Sequence, residues 1–394
     1  MLNRRKKDSS IGIRVFRVNN MKWIVTIVIF IVFVLLLCHS CRHTRIIVGP
    51  DTPSPITFNG SSQLLKATEI VPTLDAPMPP NKNAIWCASF QSAWKSLEDL
   101  AGEPIALAPS NSVADALNAA ADPKTFISPE KLYAISGWNQ KGLVDQIRRD
   151  LSQRFPQKAP PDFSAVPPDG AIAYSYLEAN VKFTLPYNQS EQPFVFTDSI
   201  GNQTKVTSFK LDHELAGNYQ KLRHQAGILF ETWERGHEFA IDLCTNSFPD
   251  QIVVARIAPG ATLASCFTNI ETLLKAASRV QTVSEFTVPD LHWFISHQFP
   301  DFQGAYFSNS KLIGRQLILA RQDILFRLDK NGAELKSEAE IATDATSDPD
   351  MDFNQPFLIY MKKRGASTPY FVMWVNNAEL LQPWKDSPAT TSAK

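Results

Sequence analysis

From residue 171 to residue 376 the chain is written in short apolar or alternating runs, each closed by turn-forming residues. This pattern constrains the fold more than any other feature. Candidate strands are 171–184, 193–197, 204–211, 227–233, 237–244, 251–258, 285–295, 315–328, 333–341, 356–362 and 369–376. A helical stretch at Cys266–Ser278 interrupts them. Upstream the periodicity is helical. Phe90, Ala93, Trp94, Leu97 and Ala101 recur at the spacing of one buried helix face. Ser128-Pro129-Glu130 has the form of a capping serine and first-turn proline opening a second helix. Leu143, Ile147 and Leu151 mark a third. A proline cluster (Pro156, Pro160, Pro161, Pro167, Pro168) then reads as a crossover loop. Helices first and strands later predict an α+β domain, with helices packed on large, mostly antiparallel sheets.

The N-terminus predicts topology. Residues 1–22 carry Arg4, Arg5, Lys6, Lys7, Arg14, Arg17 and Lys22 against Asp8 alone. The apolar run Trp23–Cys38 follows, just short of the roughly 17–25 residues of a membrane span. Basic residues before it put the N-terminus in the cytoplasm and the remainder outside. The expected organisation is a cytoplasmic leader (1–22), a single-pass signal-anchor (23–38), a proline-rich stalk (39–80), a globular domain (81–384) and a polar tail (385–394). A signal segment that is cleaved, giving a secreted protein, and lipidation at Ser40-Cys41 are the alternatives. Taking those seven bases and one acid from the 39 of each leaves the rest of the chain at net −6, which offers no footprint for nucleic acid.

Little in the sequence points to catalysis. There is no Gly-x-Ser-x-Gly elbow and no glycine-rich phosphate loop. His292 and His297 lie five apart and make a poor metal pair. His213, His224 and His237 have no cysteine or carboxylate at ligand spacing, so surface or hydrogen-bonded roles are expected. No catalytic residue, metal or cofactor is predicted. Cys87, Cys244 and Cys266 are expected as buried thiols, or as one bridge and one thiol.

Toward the C-terminus, Leu325, Phe326 and Leu328 run to Asp329 and then Gly332. Beyond it Ala333, Leu335, Ser337, Ala339 and Ile341 alternate with Glu334, Lys336, Glu338 and Glu340, the period of a half-buried strand. The polar run Thr343–Asp350 cannot bury itself and predicts an exposed loop. Phe357–Met361 and Tyr370–Val375 then predict a hairpin across Lys363-Arg364-Gly365-Ala366-Ser367.

Residues 351–361, centred on Asn354-Gln355-Pro356-Phe357, resemble the C-terminal signature of the serpins, the serine-protease-inhibitor superfamily. Asp329-Lys330-Asn331-Gly332-Ala333-Glu334 resembles that family's acidic-Gly-Thr-Glu hinge, with Ala333 for threonine. Gly236–Cys244 and Gln251–Gly260 are similar to two core strands of the smaller serpin sheet. Phe286–Leu291 resembles a serpin strand entered by Leu-Pro-Lys-Phe, and Asn83–Leu97 the helix beneath the large sheet.

The resemblance implies that 333–352 is a bait loop, with hinge residues Gly332, Ala333, Glu334 and Leu335. It implies Phe353, Asn354, Pro356 and Phe357 as the loop's frame, and Thr346–Ser347 as the scissile bond, suited to an elastase-like enzyme. The implied fold is serpin-like with an exposed reactive-type loop, and the implied partner is an extracytoplasmic serine protease. Departures are a short stretch between Leu100 and Ala171, Cys87-Ala88-Ser89-Phe90 where the family has Ser-Pro-x-Ser, and a bulky Leu335 in the hinge. They keep two alternatives to an inhibitor open. One is a non-inhibitory binding protein of the same fold, and the other is an unrelated α+β surface protein.

Overall fold

The structure, a computed structural model, describes residues 55–139, 142–156, 161–164, 166–167, 170–213, 219–234, 236–277, 281–334 and 351–385. In chain order the elements that frame the site begin with β1 (Phe58–Ser61), β2 (Thr68–Ile70), β3 (Asn83–Cys87), α1 (Ala88–Ala101) and α2 (Ser112–Ala119). Next come β4 (Leu132–Trp138), α3 (Leu143–Arg154), β5 (Ala171–Leu177), β6 (Asn180–Lys182) and β7 (Ser208–Leu211). The middle of the chain gives α4 (Tyr219–Gln225), β8 (Gly227–Thr232), β9 (Glu238–Asp242), β10 (Asp250–Arg256) and α5 (Leu263–Ala276). It closes with β11 (Phe286–Pro289), β12 (Leu291–Gln298), β13 (Arg321–Asp329), β14 (Gly332–Glu334), β15 (Met351–Asp352), β16 (Phe357–Lys363) and β17 (Phe371–Val375).

Three sheets carry the architecture. A five-stranded sheet runs β1-β12-β13-β14-β6. An eight-stranded sheet starts at the short strand Gln281–Thr282 and continues β8-β9-β10-β16-β17-β3-β2. A four-stranded sheet runs β15-β11-β7 and ends on Asn188–Gln189. Most pairings are antiparallel; β1 with β12, β2 with β3 and β15 with β11 are parallel. The fold class is α+β, as the order of helices and strands predicts.

The first two sheets meet in an aromatic core. Phe326 of β13 stacks on Phe371 of β17 at 4.5 Å, and Trp293 of β12 lies 5.6 Å from Phe326. Helix α1 buries Phe90, Trp94, Leu97 and Ala101, the residues its periodicity selects, while Ala93 is only half-buried. Phe90 stacks on Phe299 at 4.0 Å. Gly102, in the left-handed conformation (φ +77°), ends the helix. A smaller cluster of Tyr133, Ile147, Leu151, Phe155 and Ile172 seats α3 on the β4–β5 pair.

Several expectations are corrected. Residues 58–61 and 68–70 are not stalk: β1 joins the edge of the five-stranded sheet and β2 that of the eight-stranded one. The folded body therefore begins before residue 81. Ser128-Pro129-Glu130 opens no helix. Lys131 N–H donates to Ser128 O at 3.0 Å, closing a turn that leads into β4. A helix at 112–119, capped by the Asn111 side chain, was not expected. The run 171–184 breaks into β5 and β6, and strand β13 starts at Arg321 rather than at residue 315. Cys87, Cys244 and Cys266 are all free and buried. No helix among the described residues is long and apolar enough to cross a membrane, and 1–38 lies outside them.

Candidate functional site: the hinge and the return of the loop

Strand β13 carries apolar Phe326 and Leu328 on one face, and Arg327 and Asp329 on the other. It turns back through Lys330-Asn331 into β14, with Asp329 opposite Gly332, Leu328 opposite Ala333 and Arg327 opposite Glu334. The Asp329 side chain accepts from Asn331 N–H at 2.8 Å and closes the turn. On its other edge β14 pairs with β6, Gly332 opposite Lys182 and Glu334 opposite Asn180. The first residues of the predicted loop thus already hold a strand position inside the sheet. Phe183 and Tyr187 N–H groups donate to the carbonyls of Asn331 and Lys330 at 2.9 and 2.8 Å.

Gly332 is required here. Its φ is +146°, and a Cβ would stand 2.3 Å from the Val181 carbonyl oxygen and 3.1 Å from Lys182 Cα. Ala333 is wholly buried and Glu334 half-buried, as the alternation predicts. Glu334 Oε2 pairs with Arg327 Nη2 at 3.1 Å, and Arg327 Nε with Asp329 Oδ2 at 3.3 Å. Leu335, Thr346 and Ser347 lie outside the described residues.

Beside the hinge the chain changes sheets. Strand β5 pairs with β4, whereas β6, two residues further on, pairs with β14. Among the described residues no backbone pairing joins β5 to β13.

The chain returns at Met351. Strand β15 lies parallel to β11, with Phe286 opposite Met351 and Thr287 opposite Asp352. Phe353 is fully buried, 5.0 Å from Phe239 and 5.4 Å from Phe357. Its N–H donates to Thr287 O at 3.0 Å. The Asn354 carbonyl accepts from Thr197 N–H at 2.8 Å, and Arg256 Nη2 donates to Gln355 Oε1 at 2.6 Å. Pro356 leads into β16, where Phe357 stands opposite Val375 and lies 6.2 Å from Phe196. All four predicted frame residues converge on this corner between the four- and eight-stranded sheets.

Two groups near the five-stranded sheet titrate abnormally and in opposite senses. Burial pushes the Asp290 carboxyl from 3.8 up to about 7. The neighbouring Asp329 adds to this, while the Gln189 amide and the Lys330 ammonium oppose it. The folded state thus favours protonated Asp290, and its stability falls as pH rises from about 4 through about 7. His297, bonded through Nδ1 to Ser62 Oγ at 2.8 Å, is pushed by burial from 6.5 down to about 4, with Asp301 and Glu69 opposing. Its contribution is lost in the reverse direction, as pH falls from about 6.5 to about 4. Asp290→Asn is therefore expected to raise stability at pH 8 relative to pH 5. Urea midpoints at the two pH values measure this, and a wild-type difference left intact in the variant rules it out.

Arg327, Asp290, Lys330 and Gln189 around the hinge, and Arg256 at the return, were not anticipated. The signal for Arg327 was present: two charged residues alternate within an apolar strand, and a two-residue turn brings Glu334 back to the first of them.

No family model matches the chain, and no curated protein matches it in sequence. Solved structures do. A thyroxine-binding globulin in complex with thyroxine aligns at a TM-score of 0.47 and 12% identity, covering 76% of this chain and 93% of that one. Tengpin, a thermophilic serpin in its native state, aligns at 0.44 and 12%, covering 76% and 90%. Human glycosylated kallistatin aligns at 0.45 and 12%, covering 76% and 92%. The serpin resemblance of this chain stands on the residues described above: a hinge that enters a sheet and a C-terminal signature that builds the corner where the chain returns.

Proposed function

We propose that this chain is a membrane-tethered, extracytoplasmic serpin-like protein that inhibits serine proteases through loop 333–352. The carrying observation is the position of β14, which seats the first residues of the loop as a strand between β13 and β6 of the five-stranded sheet. A loop strand inserted in the register of Arg327–Glu334 would bring Leu335 opposite Phe326 and Glu340 opposite Arg321. In the proposed reaction the protease serine Oγ attacks the Thr346 carbonyl carbon. The Thr346–Ser347 peptide bond breaks, and Ser347 leaves as a new amino terminus, taking a proton. Thr346 is left as an ester on the enzyme, and the freed strand enters the sheet with the enzyme attached. Thr346 fits a small specificity pocket, so an elastase-like enzyme is the proposed target. Residues 23–38 are the proposed membrane anchor.

One observation favours the second reading, a non-inhibitory binding protein. Glu334 is held by the buried Arg327, so the hinge is already seated and the bulky Leu335 comes next. One experiment separates the two. The full-length chain in detergent is mixed with elastase-like and trypsin-like proteases and run on a denaturing gel. Inhibition predicts a covalent band at the summed mass with cleavage mapped to Thr346–Ser347. Cleavage that leaves the protease fully active, with no such band, supports the binding protein instead.

A further inference from the structure

We propose that Asp212, His213 and Glu285 form a binding site for a zinc-type divalent cation at one end of the four-stranded sheet. Strands β7 and β11 are antiparallel, with Leu211 opposite Phe286. Asp212 and His213 lie just beyond the end of β7, and Glu285 stands across from them, just before β11. His213 Nδ1 and one carboxylate oxygen each from Asp212 and Glu285 lie within 4.8 Å of one another. The imidazole nitrogen contacts Glu285 Oε1 directly and stands 4.0 Å from Asp212 Oδ1. The His213 backbone N–H also donates to Glu285 Oε1, at 3.4 Å.

A histidine–glutamate ion pair needs one carboxylate, and here two converge on the same imidazole nitrogen. Lys210 Nζ, 2.9 Å from Asp212 Oδ2, offsets one negative charge and leaves Asp212 Oδ1 on the histidine side. A divalent cation placed among them would be met by one imidazole nitrogen and two carboxylate oxygens. The three ligands are held from both sides of the sheet end. Asp212 is buried, and the Tyr219 hydroxyl donates to Ser284 O at 3.0 Å, which fixes the residue before Glu285. Such outer anchoring orients ligands in built metal sites. The His213 side chain is 49% exposed, which leaves room for water to complete the coordination.

One imidazole nitrogen and two carboxylate oxygens match zinc and its borderline neighbours. Calcium takes six to eight oxygens and is not served by this set. The sequence concealed the site because Glu285 lies far along the chain and only the β7–β11 register brings it to His213. Phe286 pairs with Met351, so a bound ion would brace the strand end beside the returning loop. The site does not depend on protease inhibition.

The test uses the full-length chain in detergent, with Cys38→Ser and Cys41→Ser to remove a competing thiolate pair. The metal-free protein is titrated with zinc chloride by calorimetry, and melting is followed with and without zinc. One zinc per chain and a raised melting temperature are expected. His213→Ala and Glu285→Gln should each weaken binding at least tenfold. Lys210→Met, which keeps every ligand and removes the competing cation, should tighten it. No saturable binding by the parent protein, or binding unchanged in both ligand variants, overturns the site. Should a ligand variant fail to fold without metal, Lys210→Met decides: unchanged or weaker zinc binding then also overturns it.

Discussion

Gly332→Ala is expected to expel β14 from the five-stranded sheet. The new Cβ would sit 2.3 Å from a backbone oxygen of β6, where no side chain can swing aside, and φ of +146° already disfavours any residue but glycine. Backbone strain of this kind costs up to about 3 kcal/mol, and the clash adds to it. Relief requires the hinge to withdraw, which breaks the pairing of 332–334 with 180–182 and separates Glu334 from Arg327. Hydrogen exchange at Val181 and Phe183, whose N–H groups face the hinge strand and turn, should accelerate strongly, with slower exchange retained in β16 and β17. Protection at 181 and 183 equal to the parent protein would show that β14 does not need the glycine. If the protein traps proteases, the same variant should hydrolyse as a substrate more often than it forms the covalent band.

Arg364→Ala should cost about 3–5 kcal/mol, because it strips the partner from a buried carboxylate. Arg364 lies in the turn between β16 and β17. Its Nη1 binds Asp242 Oδ2 at 2.8 Å, Nη2 donates to Cys244 O at 2.5 Å, and Nε donates to Ser247 O at 2.6 Å. Asp242 is only 2% exposed. Its other carboxylate contacts, the Gln251 amide and the Cys244 N–H, do not neutralise it. The guanidinium thus ties the turn of one hairpin to the segment after β9. Lysine brings a charge but no planar fork, so Arg364→Lys should recover less than half of the loss. Chemical denaturation measures both variants. A loss below about 1 kcal/mol for the alanine form would mean that water replaces the guanidinium at Asp242.

The sequence made visible whatever depends on local periodicity. The face of α1, the alternation after Gly332, and the apolar runs that became β9, β10, β16 and β17 are all periodic over a few residues. Ser128-Pro129-Glu130 misled because serine and proline serve a reverse turn as readily as a helix start. The aromatic and β-branched content of Leu132–Trp138 was the better guide to that segment. The strands at 58–61 and 68–70 are too short to show a period, and pairing selects them, the first with β12 far along the chain and the second with β3. Prolines nearby made them resemble a linker. The hinge was legible in outline through Gly332 and the alternation. Its insertion between β13 and β6 was not, because that pairing joins residues far apart in the chain. The Asp212–His213–Glu285 cluster was hidden for the same reason.

The three buried thiols make the body a recorder of its own breathing. Burial raises the pKa of each above its ordinary value, and only a thiolate attacks an alkylating reagent. Modification therefore waits for local opening, and its rate counts those events. The thiols sample different places. Cys87 lies where β3 passes into α1, and its carbonyl accepts from Gln322 of β13 at 2.9 Å. Cys244 follows β9, and Cys266 is in α5. Movement of β13 away from the start of α1 would expose Cys87 ahead of Cys266, whereas wholesale unfolding would expose all three together. The order of labelling tells one from the other without adding any probe to the body.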